Sequence, residues 1–224
     1  MSQIPLDLPH RAALDREAFF VSASNAEALA MVEAWHDWPA GKLALTGAGG
    51  SGKTHLAHVW AAGTGGVVVN AVDLTDADLP GMVDAGAVAV EDVDHLAAMA
   101  NPRPAEAALF HLHNMLAGAG GKLLVTGKNA PSRWRLTTPD LASRLQAAGI
   151  ATLGAPDDAL IHAVIVKIAT DRQLDLDPRL PPFLALRLDR SLASIADALA
   201  ELDRQALAEQ RRVTVPFARQ VLSL

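Results

Sequence analysis

Apolar and polar residues change rhythm along this chain, and the rhythm divides it into three parts. Residues 1–10, MSQIPLDLPH, alternate apolar with polar. They include Pro5 and Pro9, which lack backbone donors and oppose a helix, so an extended tail is expected. From Ser24 the spacing turns helical, with Ala28, Leu29, Val32 and Trp35 on one face. Ser24 or Asn25 can cap this helix, and Glu27 stands three residues after Ser24, as in a capping box. Pro39-Ala40-Gly41 ends the segment. Short apolar runs then alternate with helix-period stretches. Strands are expected over 42–46, 67–69, 87–90, 122–126 and, shorter, 150–153, with helices over about 52–62 and 105–116. Such alternation implies a parallel sheet covered on both faces.

After Pro156 only helical spacing remains. Leu160, Ile161, Val164, Ile165 and Ile168 make one apolar stripe, and Leu192, Ile195, Leu199 and Leu202 make another. The expected organisation is a tail over 1–10, an α/β domain with a parallel five-stranded sheet over 11–155, and a small all-helical domain over 156–224.

Gly47-Ala48-Gly49-Gly50-Ser51-Gly52-Lys53-Thr54 matches G-x-x-x-x-G-K-[ST] between an expected strand and an expected helix. Glycines let backbone N–H groups close around phosphate oxygens, and the following helix turns its positive end to the anion. Lys53 reaches the β- and γ-phosphates, and Thr54 is a Mg²⁺ ligand. The run Val88-Ala89-Val90-Glu91-Asp92 supplies the second element, an apolar strand ending in acid. One carboxylate there holds Mg²⁺ and the next polarises the attacking water. Glu91 stands where Asp is more usual, and its longer side chain can displace the metal, which works against metal binding and hydrolysis.

Composition narrows the class. The 224 residues are half hydrophobic and one fifth charged, which excludes wholesale disorder. There is no Cys, which removes disulfides, thiol nucleophiles and Cys-based zinc sites. A net charge of −6 with only 4% aromatics argues against a coat for nucleic acid or a base-stacking platform. No apolar run reaches the ~18 residues of a membrane span, and no signal peptide is visible, so a cytoplasmic location is expected. His55 and His58 lie three apart on a helix without a matching carboxylate, which favours ordinary helix-face histidines over a metal site. Trp35, Trp38, Trp60 and Trp134 are expected in packing.

The continuation Gly52-Lys53-Thr54-His55-Leu56 resembles the AAA+ module of the DnaA family, and further segments extend the resemblance from residue 19 to about 222. Phe19-Phe20-Val21-Ser22-Ala23-Ser24-Asn25 is similar to the segment that family places beside the adenine. Leu123-Leu124-Val125-Thr126 resembles the sensor 1 strand, with Thr126 at the γ-phosphate-sensing position. Leu141-Ala142-Ser143-Arg144-Leu145 resembles the segment with the arginine finger, and Leu188-Asp189-Arg190-Ser191-Leu192 the sensor 2 region. The resemblance implies an AAA+ domain with a helical lid that binds ADP or ATP with Mg²⁺. It implies contacts from Gly47, Gly49, Gly50, Ser51, Gly52, Lys53, Thr54, His55, Asn25 and Arg190, with Thr54 and Glu91 at the metal. Asp92, Thr126 and Arg144 take the catalytic roles.

The segment between Lys53 and Asp92 leaves little space for the inserted helices that initiators use on DNA, and with the last residue at Leu224 their DNA-binding domain is not expected. Gln3-Ile4-Pro5-Leu6-Asp7-Leu8 is similar to a sliding-clamp-binding peptide, with Gln3 for a polar pocket and Ile4, Leu6 and Leu8 as its aliphatic residues. Together these features resemble the Hda group of DnaA-homologous regulators. The resemblance implies the DnaA initiator and the clamp as partners, DNA contact only through the clamp, no membrane, and self-association as a further possibility. Hydrolysis by the chain itself is expected to be weak or absent. A helicase-loader type of ATPase and a non-hydrolysing ADP-binding adaptor stay open as alternatives.

Overall fold

The computed structural model describes Arg16 and residues 19–224. The expected tail contacts Gln3, Ile4, Leu6 and Leu8 lie outside the described residues.

Five strands form one parallel sheet in the order β2-β3-β4-β1-β5: β1 (Lys42–Gly47), β2 (Val67–Asn70), β3 (Ala87–Glu91), β4 (Lys122–Gly127) and β5 (Gly149–Leu153). All four strand pairings are parallel. Because side chains alternate across a strand, β1 feeds two cores. Leu43 and Leu45 pack with α1 (Ala26–Glu33) and α2 (Lys53–Thr64), where Trp38 and Trp60 stack with ring centroids 5.2 Å apart. Ala44 faces α4 (Arg103–Ala119) and α5 (Pro139–Gln146) through Leu109, Leu112, Leu116, Leu141 and Leu145, with Trp134 in the same core. The remaining helix of this part, α3 (Leu79–Asp84), is short and packs against α4.

The helical part has its own core. Here α6 (Asp158–Asp171), α7 (Leu180–Ala185), α8 (Leu192–Glu209) and α9 (Val215–Leu222) bury Ile161, Ile165, Leu184, Ile195, Leu199, Leu202 and Phe217. Asp157 caps α6 by accepting from Leu160 N at 2.8 Å. Its other oxygen accepts from Ser24 N at 3.2 Å, tying the start of the lid to the loop before α1.

The expected capping box of α1 is absent. Asn25 is the N-cap residue, but its side chain makes no capping bond. Its Oδ1 accepts from Ser22 N at 2.9 Å and its Nδ2 donates to Phe20 O at 2.9 Å. The backbone of the preceding turn has taken both ends of the amide. Among the described residues no helix is long and apolar enough to cross a membrane.

Candidate functional site

The loop after β1 lies at the carboxyl edge of the sheet, where open α/β sheets carry their ligand crevices. It passes through Gly50 (φ 68°) and Gly52 (φ 100°), left-handed conformations that disfavour a side chain. Gly52 ends the turn and α2 starts at Lys53, so the unpaired N–H groups and positive end of a twelve-residue helix face the crevice. Lys53 is buried. Its Nζ donates to Gly47 O at 2.8 Å and Ala48 O at 2.9 Å, which fixes a cation at the centre of the loop. Burial holds its pKa below the usual lysine range. Asp92, Asp94 and Glu91 oppose that shift and Lys128 adds to it.

The lid closes this region. Leu192 N, at the start of α8, donates to Gly50 O at 2.8 Å. A cavity of about 530 Å³ lies between the two parts. Its lower wall is Gly49, Gly50, Gly52, Lys53, Thr54 and His55, its side is Asp92, His95 and Lys128, and its lid wall is Val164, Ile168, Leu192, Ala193 and Ala196. Lys167 and Asp171, paired at 2.7 Å, also line it. One end is therefore cationic with converging N–H donors and the other is apolar, the division a nucleoside polyphosphate needs. Oxygen donors of the kind Mg²⁺ takes stand at its rim in Thr54 and Asp92. Glu91 Oε1 and Ser51 Oγ are buried without a hydrogen-bond partner, and an orphaned carboxylate oxygen beside a phosphate-type loop suits a hydrated cation.

Several expected residues hold other positions. Thr126 is fully buried and does not border the cavity. Its Oγ1 accepts from Asp92 N at 2.9 Å, across the end of the sheet. That bond holds Asp92 in a left-handed conformation (φ 53°), so Thr126 places the acid. Asn25 holds its own turn and is likewise absent from the lining. Arg190 does not reach the loop either. Its guanidinium donates to Pro156 O at 3.2 Å and Asp158 Oδ1 at 2.6 Å, stapling the link between β5 and α6 to the start of α8. The residue of that segment that meets the loop is Leu192, through its backbone.

Asp94, His95 and Lys128 were not singled out by motif. Asp92, Asp94 and His95 offer ligand atoms within 4.8 Å of one another, and Lys128 N donates to Asp94 Oδ2 at 3.0 Å. They arrive by way of adjacent strand ends, which no local pattern marks.

Arg144 lies elsewhere. It is in the last turn of α5, and its backbone carbonyl accepts from Lys42 Nζ at 3.4 Å. Lys42 begins β1 and the phosphate-type loop follows its other end, about 16 Å away along a strand of this length. The guanidinium is exposed, sits 5.2 Å from the Phe110 ring centroid, and has no carboxylate partner among the described residues. Beneath it, Lys42 Nζ also lies 2.9 Å from the buried His113 Nε2. Burial and then Lys42 hold the His113 pKa below its ordinary value.

Comparisons with known proteins agree with this architecture. Residues 157–222 match the family model described as Hda, lid domain. The chain superposes on domain III of the Thermotoga maritima replication initiation protein DnaA with a TM-score of 0.80 at 20% identity, over 96% of this chain and 98% of that one. AMPPCP-bound DnaA from Aquifex aeolicus gives 0.66 at 16% identity, over 84% and 64%. The FIGL-1 AAA domain in complex with ADP gives 0.62 at 16% identity, over 83% and 72%. The fold is that of an AAA+ module, a five-stranded parallel sheet with a helical lid. Within that class the helical part, residues 157–222, is an Hda-type lid, and the chain as a whole has the fold of DnaA domain III.

Two predictions follow from these contacts. A Cβ at Gly50 would collide with Ser191 Oγ and Cβ, so Gly50→Ala should push the lid from the loop and speed amide exchange at Leu192 by about tenfold or more, read by hydrogen exchange. His113 has a folded pKa below its ordinary 6.5, so on acidification the unfolded chain takes up its proton first. Its contribution to stability is therefore complete above about pH 6.5 and is lost as the pH falls toward the folded value. Urea unfolding should show lower stability at pH 5.5 than at 7.5, and His113→Asn should flatten part of that slope.

Proposed function

We propose that this protein is an adenine-nucleotide-binding regulator of replication initiation that promotes ATP hydrolysis on a neighbouring DnaA. The observation that carries this reading is the placement of Arg144. It is an exposed guanidinium without an acidic partner among the described residues, steadied on an aromatic ring, at the edge of the molecule remote from the chain's own loop. A cation so held is available to a second protein's phosphates. Placed at a γ-phosphate, its planar fork offsets charge in the transition state, an effect worth ~10³–10⁵ in rate.

The chain's own loop has a different task in this proposal. Its N–H groups and Lys53 bind the phosphates of ADP or ATP, Thr54, Glu91 and Asp92 hold Mg²⁺, and the apolar lid wall covers the rest. A bound nucleotide supplies the polyphosphate anion that bridges loop and lid. Loop and lid together then set the shape in which the α5 edge is presented. Glu91 in place of a shorter acid favours weak intrinsic turnover over an autonomous motor. Residues 3–8, with Gln3, Ile4, Leu6 and Leu8, are proposed to seat in the sliding clamp, bringing Arg144 to DnaA near DNA.

Arg144→Ala should lower clamp-dependent stimulation of DnaA ATPase by about 10³-fold, effectively to background, while calorimetry with Mg²⁺ and ADP gives unchanged heat. A fully active variant would refute the trans role, and the absence of nucleotide heat in the unmodified protein would refute the ligand. Deleting residues 1–10 should abolish recovery of the protein on immobilised clamp and leave nucleotide binding as it was. Undiminished recovery would rule the tail out.

A further inference from the structure

Arg144 belongs to a helix of only eight residues, too short to keep its direction unaided. Its N-terminal end is tied by Glu106, a carboxylate with no exposed surface, contributed by α4. Thr137 donates to Glu106 Oε1 from its backbone N and to Oε2 from its hydroxyl, both at 2.8 Å. Thr138, the N-cap residue just before α5, donates to Oε2 from its backbone N at 2.8 Å and from its hydroxyl at 2.7 Å. At the other end, the Lys42 ammonium meets the Arg144 carbonyl. An anion at the start and a cation at the finish both suit the helix dipole. Between them Leu141 and Leu145 are buried in the core. Glu106, Phe110 and His113 lie four and three residues apart on α4, hence on one face. That face ties the start of α5, lies under the guanidinium and braces Lys42.

We infer that Glu106 is a positioning residue for Arg144, locking α5 through Thr137 and Thr138 so that the guanidinium is presented over Phe110 in one orientation. The site is specific to a carboxylate. Four donors converge on two oxygens, which an acceptor-only group satisfies and an amide does not, because whichever way it turns its NH₂ faces a backbone N–H, that of Thr137 at the Oε1 place or that of Thr138 at the Oε2 place. The link to rate rests on the proposed trans role of Arg144. A displacement of about 1 Å at such a group costs roughly 10²-fold in rate. Glu106 itself touches neither the cavity nor the exposed edge.

The test uses the full chain and two readouts. The Arg144 Nε–Hε resonance, assigned by its loss in Arg144→Lys, reports the ring current of Phe110 whether or not DnaA is the target. Stimulated DnaA hydrolysis reports the finger. Glu106→Gln should move that resonance toward the random-coil position and lower the maximal stimulated rate by about 10- to 100-fold. The DnaA concentration at half-maximal rate and the ADP affinity should stay within about twofold. Thr138→Val, which deletes one of the four donors and keeps the shape, should shift both readouts in the same direction by less, and it serves as the test if Glu106→Gln does not fold. A folded Glu106→Gln or Thr138→Val protein with the wild-type resonance and rate overturns the assignment. A loss equal in rate and in ADP affinity also overturns it, since that is general damage. If Arg144→Ala retains full stimulation, the finger reading fails, and the resonance alone then decides the role of Glu106.

Discussion

The hydrogen bond from Leu192 N to Gly50 O is the constraint on which the arrangement of the two parts depends. Within the phosphate-type loop, the carbonyls of Gly47 and Ala48 accept from Lys53 Nζ, while that of Gly50 faces the lid. The first N–H of α8 has no partner within its own helix and takes the Gly50 carbonyl. Two unsatisfied groups, one from a tight turn and one from a helix start, thereby fix the lid against the loop without any long side chain. The cavity between them, cationic at one end and apolar at the other, is a consequence of that seat. Arg190, two residues earlier, anchors the same helix start to the strand–lid link through Pro156 and Asp158. Since that ion pair is largely exposed, its value lies in geometry more than in energy.

The sheet separates two kinds of chemistry. At its carboxyl edge, strand ends supply the loop, Asp92 and Lys128. At its amino edge, Lys42 meets α4 and α5, and a cluster of bases, Lys42, His113 and Arg144, collects with Phe110. The rigid strand β1 joins the edges, with the loop leaving one end and Lys42 starting the other. Burial of Glu106 would be costly for an unpaired carboxylate. Four short hydrogen bonds offset that cost and hold its pKa below the usual range despite the opposing effect of burial. A buried charge kept in this way specifies the position of what donates to it.

Much of this was legible in the residue pattern. Alternation of short apolar runs with helix-period stretches marked all five strands, and the loss of strands after Pro156 marked the helical part. The phosphate-type loop was readable because its chemistry is local, with strand, glycines, Lys53 and helix start contiguous in the chain. The same holds for the acid at the end of β3. Local signals misled where a polar side chain had a choice of partner. Asn25 satisfied its own turn instead of capping α1.

The amino-acid sequence by itself determined the periodicities, the loop and the presence of an arginine in a finger-like segment, because each depends on neighbours within a turn or two. Tertiary structure alone decided which groups converge. Thr126 bonds Asp92 and Lys128 bonds Asp94 because β3 and β4 are adjacent, Leu192 reaches Gly50 because the lid folds back, and Glu106 finds Thr137 and Thr138 because α4 and α5 pack together. Those pairs lie some 30 to 140 residues apart in the chain. Only burial of the shared apolar faces overcomes the entropy of bringing such distant groups together.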